Sequence, residues 1–166
     1  MSVLIPPPVL DHPDYLRHYH WMCRAIALAE SAGQQGEVPV GAVMVDANNE
    51  LLAEGENRRE RDHDPTAHAE MIVIRSAGQQ LNRWRLNDCT LYVTLEPCPM
   101  CAGGLIQARL GTLVYGADDA KTGAVRTVLN LPDSACSNHY LSVWGGILEE
   151  PCRQVLQEWF AKRRSP

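Results

Sequence analysis

At 166 residues the chain is long enough to bury one sizeable core, and nothing in its length calls for a second domain. Its 45% apolar and 21% charged residues exclude an intrinsically disordered chain, and no apolar run approaches the eighteen or so residues that cross a bilayer. The net charge of −5 argues against a generic nucleic-acid binder while leaving room for a local basic patch. In chain order, residues 1–12 read as a flexible arm, because Pro6-Pro7-Pro8 favours an extended polyproline conformation. Residues 13–166 read as a single domain. The start of the chain lacks a basic stretch leading into a long apolar one, so a cytoplasmic location is expected, with thiols reduced or metal-bound.

From Tyr15, the residues Leu16, Tyr19, Met22, Cys23, Ile26 and Ala27 recur at helical spacing and predict a helix ending near Gly33 and Gly36. Residues 38–45 read as a strand, Asp46-Ala47-Asn48-Asn49 as a turn, and residues 51–55 as an antiparallel return. An arginine-rich loop with Arg58, Arg59 and Arg61 leads to a helix that carries His68 and continues through Met71, Ile72 and Ile74 to Gly78. Asp64-Pro65 should start that helix as an Asx cap followed by proline. Residues 89–95 read as a buried strand, 99–108 as a helix and 112–115 as another strand, which is a parallel βαβ unit. Residues 116–138 are loop-rich, and 140–144 form a last strand. A final helix over 151–162 has Cys152, Val155, Leu156, Trp159 and Phe160 on one stripe. Cys89 and Cys152, in apolar settings, read as small buried hydrophobes.

Two stretches about thirty residues apart carry the chemistry: His68-Ala69-Glu70 and Pro97-Cys98-Pro99-Met100-Cys101. Pro99 suits a first helical position, which sets the thiols at a helix mouth, where the positive dipole end favours thiolate. Cys98 and Cys101, at i and i+3, can project from one helix face. With His68 they supply three ligands, the number a catalytic zinc commonly takes while leaving a fourth corner for water. Glu70 is then a carboxylate not needed as a ligand. Two positions along a helix turn a side chain by roughly 200°, so His68 must sit in the opening turn for both to aim inward.

A lone C-x-x-C is shared with redox pairs and zinc ribbons, and a structural zinc knot with an incidental Glu70 is the plainer alternative. The full ordered set, H-x-E followed by P-C-x-x-C, matches the general signature of zinc-dependent base deaminases. In that chemistry zinc acidifies a water, and Glu70 takes its proton and delivers it to departing ammonia. A protonated Glu70 could also donate to a ring nitrogen. An amidohydrolase attacking a carbonyl would use the same parts.

From Glu37 to about Arg164 the chain resembles the bacterial tRNA-specific adenosine deaminases of the cytidine-deaminase-like superfamily, which convert the wobble adenosine, position 34 of an anticodon, to inosine. The likeness rests on Glu37-Val38-Pro39-Val40-Gly41-Ala42, Asp64-Pro65-Thr66-Ala67-His68-Ala69-Glu70, Thr94-Leu95-Glu96-Pro97-Cys98-Pro99-Met100-Cys101-Ala102-Gly103 and Asp119-Ala120-Lys121-Thr122-Gly123-Ala124. It implies an α/β chain with a three-layer α/β/α cytidine-deaminase-like fold and a mixed five-stranded sheet. It also implies a homodimer, a tRNA anticodon loop as partner, no organic cofactor and one Zn2+ per subunit. His68, Cys98 and Cys101 would be the metal ligands and Glu70 the catalytic residue.

Substrate contacts are implied at Asn57 for the target ribose, at Asp119 for a neighbouring sugar, and at Val38 and Pro97. Trp159 and Phe160 ahead of Lys162, Arg163 and Arg164 resemble an aromatic-then-basic tail that stacks bases and tracks phosphates. Without the resemblance, Asn57 reads as a turn residue, Asp119 as a solvated loop residue and both rings as core. The alternative function is a deaminase of a free nucleobase or nucleoside of guanine or cytosine type. A non-catalytic zinc-stabilised RNA-binding module is a further rival, which Glu70 disfavours.

Overall fold

Three successive apolar stretches form the centre of a sheet in the computed structural model, which describes residues 13–164. The arm expected over residues 1–12 lies outside the described residues. The elements are α1 (Pro13–Gln34), β1 (Gly41–Val45), β2 (Leu51–Glu56), α2 (Arg59–Asp62), α3 (Ala69–Leu81), β3 (Thr90–Leu95), α4 (Pro99–Gln107), β4 (Thr112–Ala117), β5 (Ser142–Gly145) and α5 (Glu149–Arg164). The strand order is β2-β1-β3-β4-β5, antiparallel on the β2-β1-β3 side and parallel through β3-β4-β5. The sheet is therefore mixed and five-stranded, as the resemblance implied.

The two sheet faces bury separate cores, as the alternation of side chains along a strand requires. Ala42, Met44, Leu91, Val93 and Leu113 pack with Val73 and Ala77 of α3 and Ala102 and Leu105 of α4. Val43, Val45, Tyr92 and Val114 pack on the other face with Trp21, Met22 and Ala25 of α1 and Cys152 of α5. These are the three α/β/α layers. Cys89 and Cys152 are both buried, and a Cβ on Gly116 would stand 2.3 Å from the Cys152 sulfur.

Helix α1 forms where expected but turns a different face inward. Leu16, Tyr19 and Cys23 are exposed, while His18, Trp21, Met22, Ala25, Ala29 and Ala32 are buried. Backbone proximity explains the choice: a Cβ on Gly41 of β1 would stand 2.1 Å from the Ala25 carbonyl oxygen and 2.6 Å from the Ala29 nitrogen. That approach needs a glycine on the strand and seats the Ala25–Ala29 turn of the helix against it, which fixes the rotation of α1: Trp21 and Met22 share the buried face, and Leu16, Tyr19 and Cys23 fall outside it. Helix α5 departs similarly. Only Cys152 of its expected stripe is fully buried; Val155, Leu156 and Trp159 are half-buried and Phe160 is exposed.

His18 sits in the α1 core at 5% exposure, its Nδ1 2.9 Å from the Tyr92 hydroxyl. Burial, reinforced by Arg17 and only partly opposed by Asp14, lowers its imidazole to about 4. The unfolded chain, with an ordinary histidine near 6.5, binds more protons below that pH. Stability should be complete above about 6.5 and fall as the pH drops towards about 4. Denaturant melts should show the wild type losing about 2 kcal/mol more than His18→Gln between pH 7.5 and 5. Parallel losses in the two proteins would contradict it.

Candidate metal centre

One end of the sheet gathers the start of β1 and the exits of β2, β3 and β4, because β1 runs antiparallel to β3 while β4 runs parallel to it. Ligands generally bind outside the carboxyl ends of parallel strands in such sheets. A cavity of about 120 Å³ opens there, lined by Val38 and Val40 before β1, Asn57 and Arg59 after β2, Leu95 at the end of β3 with Glu96 and Cys98 after it, and Asp119 and Thr122 after β4. His68, Ala69 and Glu70 complete the lining from the start of α3.

Both ligand helices begin on a ligand. His68 is the N-cap of α3, with φ −74° and ψ 151°, and Cys98 is the N-cap of α4, with φ −71° and ψ 172°. Their carbonyls accept the first intrahelical bonds, from Ile72 N at 3.0 Å and Ala102 N at 2.8 Å. Each ligand is thus one residue earlier than an opening-turn position, in extended backbone. The 200° rule does not apply to such a residue, so His68 and Glu70 reach the same cavity. Pro99 occupies the first turn of α4 as expected. Asp64-Pro65 does not cap α3. The Asp64 carboxylate accepts from the Thr66 amide and hydroxyl, closing a local turn four residues ahead of His68, the residue that caps the helix.

The ligand atoms of His68, Cys98 and Cys101 lie within 4.8 Å of one another, the one such group among the described residues. His68 Nδ1 is 3.7 Å from Cys98 Sγ and 3.5 Å from Cys101 Sγ. Tetrahedral zinc, with sulfur at about 2.3 Å and nitrogen at about 2.0 Å, sets its N and S ligands about 3.6 Å apart. The three residues fit that ion. A bond from the Cys101 thiol and another from His68 hold the Cys98 thiol down at about 4, against its burial. Cys101 is pushed up by its bond to Cys98 and by burial, and His68 is raised chiefly by its bond to Cys98. The thiol pair shares a proton that a metal would displace. Beside it, burial at 4% exposure lifts the Glu70 carboxyl to about 7.

Buried carboxylates tie down both cavity walls. Glu37 accepts from the amides of Glu60 and Arg61 at 3.1 and 2.7 Å, holding α2 and with it Arg59. Glu96 does the same for the loop after β4. Asn57 lines the cavity with its side chain engaged, donating to the Val38 carbonyl and accepting from the Arg59 amide. Asp119 is at the rim, where Oδ1 accepts from the Lys121 and Thr122 amides and Oδ2 from the Thr122 hydroxyl.

Of the residues read from sequence, the cavity brings together Val38, Asn57, His68, Glu70, Cys98 and Asp119, with Cys101 buried behind His68. Pro97 is not part of the lining; it is buried beneath it, its carbonyl accepting from Ala124 N. Trp159 lies elsewhere, its indole N–H bonded to the Gly33 carbonyl and its ring covered by the Arg163 guanidinium at 3.6 Å. Phe160 stands edge-on to it and faces solvent. Arg59 was read from sequence only as part of the arginine-rich loop, and Glu96 and Thr122 only inside the stretches that carry the resemblance; none of the three was read as a site residue.

A family model for MafB19-like deaminases matches residues 16–164. The chain is 46% identical over 140 residues to a tRNA-specific adenosine deaminase of Haemophilus influenzae, covering 84% of this chain and 81% of that one. It is 46% identical over 144 residues to the Bacillus subtilis protein of the same name, covering 87% and 89%. A solved structure from work on A-to-I editing by tRNA:A34 deaminases at the wobble position of transfer RNA superposes with a TM-score of 0.80. It is 42% identical and covers 82% of this chain and 99% of that one.

Proposed function

The chain belongs to the MafB19-like deaminases, with tRNA-specific adenosine deaminases among its relatives, and from that premise we propose that it hydrolyses adenosine to inosine at the wobble position of a tRNA anticodon. The observation that carries the proposal is a buried carboxylate, Glu70, set beside a three-ligand His68, Cys98 and Cys101 group at a cavity at the end of the sheet. Zinc, when bound there, supplies a water acidified towards neutrality. Glu70 takes one proton of the water that attacks C6 and places it on N1, where it stays in the product; it then takes the second, from the hydroxyl now on C6, and gives it to the amine, so that the C6–N bond breaks and ammonia leaves.

The remaining residues hold the nucleotide. The metal group lies between two helix starts, so an adenine still stacked in a loop cannot reach it and must turn out into the cavity. Asn57 keeps one amide hydrogen free for the ribose after bonding Val38. Asp119 Oδ2 keeps an acceptor site for a sugar hydroxyl after taking the Thr122 hydroxyl. Arg59 has no carboxylate partner among the described residues, unlike Arg58 with Asp62 and Arg61 with Glu56, and its position at the cavity suits a flanking phosphate. Beyond the cavity, Phe160 and the basic end of α5 are the surfaces for neighbouring bases and phosphates, whereas Trp159 is already occupied by packing. A homodimer and a cytoplasmic site of action belong to the same reading. No helix among the described residues is long and apolar enough to cross a membrane.

The test is substrate choice. An RNA anticodon hairpin with adenosine 34 should give inosine with a kcat/KM about 10²-fold or more above free adenosine, since outlying stacking contacts contribute about 1–3 kcal/mol each. The same hairpin in DNA should be slower, because a sugar contact through a 2′-hydroxyl is lost. Turnover of free guanine or cytidine faster than the hairpin would overturn the reading in favour of a free-base deaminase.

A further inference from the structure

Glu96 is 1% exposed and is neither a ligand of the metal group nor placed to move protons. Its carboxylate is instead surrounded by donors from a single loop. Oε1 accepts from the amides of Val125 at 3.2 Å, Arg126 at 2.8 Å and Thr127 at 2.9 Å. Oε2 accepts from the Asp119 amide at 3.1 Å and from the Thr127 hydroxyl. Gly123 lies over it so closely that a Cβ there would be 2.3 Å from Oε2. The loop has no helix or strand between β4 and β5, so these bonds do for it what a backbone ladder does elsewhere.

We propose that Glu96 is the positioning residue for nucleotide recognition: it fixes the Asp119–Thr122 wall of the cavity through the Asp119 amide. The assignment rests on the nucleotide reading above. The two carboxylate oxygens divide the task. The three amides on Oε1 hold the far part of the loop, while the Asp119 amide on Oε2 holds the segment that lines the cavity. Glu96→Gln separates them. Its amide oxygen can keep the three bonds of Oε1, and the Thr127 hydroxyl can turn to accept from the new NH2. Only the Asp119 amide is left facing another donor.

The zinc-loaded enzyme is therefore expected to bind one equivalent of metal in Glu96→Gln. Its KM for the RNA hairpin should rise about tenfold, with kcat changed by less than about threefold. Amide hydrogen exchange at Asp119 should speed up by about tenfold or more while Val125 and Arg126 change little. Gly123→Ala, which keeps the carboxylate's chemistry but puts a Cβ 2.3 Å from Oε2 and 2.6 Å from the Asp119 carbonyl oxygen and so forces the two apart, should show the same KM-selective effect. A lowered melting temperature with KM unchanged makes Glu96 a loop scaffold only and overturns the proposal, as does loss of zinc or unchanged exchange at Asp119. If the wild type fails to turn over any hairpin, the deaminase reading fails, while exchange at Asp119 still reports whether the tether exists.

Discussion

Glu70→Gln is expected to keep its zinc and its affinity for an RNA hairpin yet lose about 10²–10⁴ of its turnover, the usual range for removing a general acid–base. The amide is nearly isosteric with the carboxylate, so the cavity floor keeps its shape at a position only 4% exposed. What disappears is the ability to accept a proton, and the proposed reaction asks Glu70 to do so more than once. Its seat at the start of α3, two residues after a ligand that caps the same helix, fixes it beside the metal group without making it part of that group. Metal analysis, a binding curve and single-turnover kinetics on one preparation separate the roles. Zinc lost in proportion to activity would make Glu70 structural. Full zinc with turnover within about tenfold of wild type would send the proton elsewhere.

The parts of the site legible in the sequence are those whose geometry is local. His68, Glu70, Cys98 and Cys101 need only two short segments and the two helices they open, and the parallel β3-α4-β4 unit follows from its spacing. Where the reading failed, the deciding contacts were distant in sequence. The inward face of α1 is set where the helix backbone at Ala25 and Ala29 rests on Gly41 of β1, so counting apolar residues favoured Leu16, Tyr19 and Cys23 wrongly. Asp64-Pro65 has the composition of a helix cap, but the Thr66 amide and hydroxyl take its carboxylate first. Trp159 reads from sequence as either stacking platform or core, and its indole bond to the Gly33 carbonyl, 126 residues away, is a contact that no local pattern shows. Glu37 and Glu96 show the same limit most plainly. A buried glutamate looks like any other in sequence, and its purpose appears only when the loop that needs its oxygens folds back over it.

Cys98→Ser should leave less than half an equivalent of zinc per chain, and activity should fall with it, while Cys89→Ser and Cys152→Ser keep a full equivalent. The three substitutions are chemically identical, so only the surroundings can separate them. Cys98 caps α4 at the positive end of the helix, 3.7 Å from His68 Nδ1, and its thiol is held down at about 4 by its bonds to Cys101 and His68. It therefore offers a thiolate at neutral pH, and a serine hydroxyl there stays protonated and binds zinc poorly. Burial pushes the thiols of both controls up to about 12, and neither belongs to a group of three candidate ligands. Removing partners that merely orient a metal ligand already costs about 10–100-fold in affinity, so deleting a ligand should cost at least that much. After dialysis against a weak chelator, elemental analysis of the three variants should give one depleted and two full samples. Equal depletion in all three would mean that zinc loss follows general destabilisation, and the assignment of Cys98 as a ligand would fall with it.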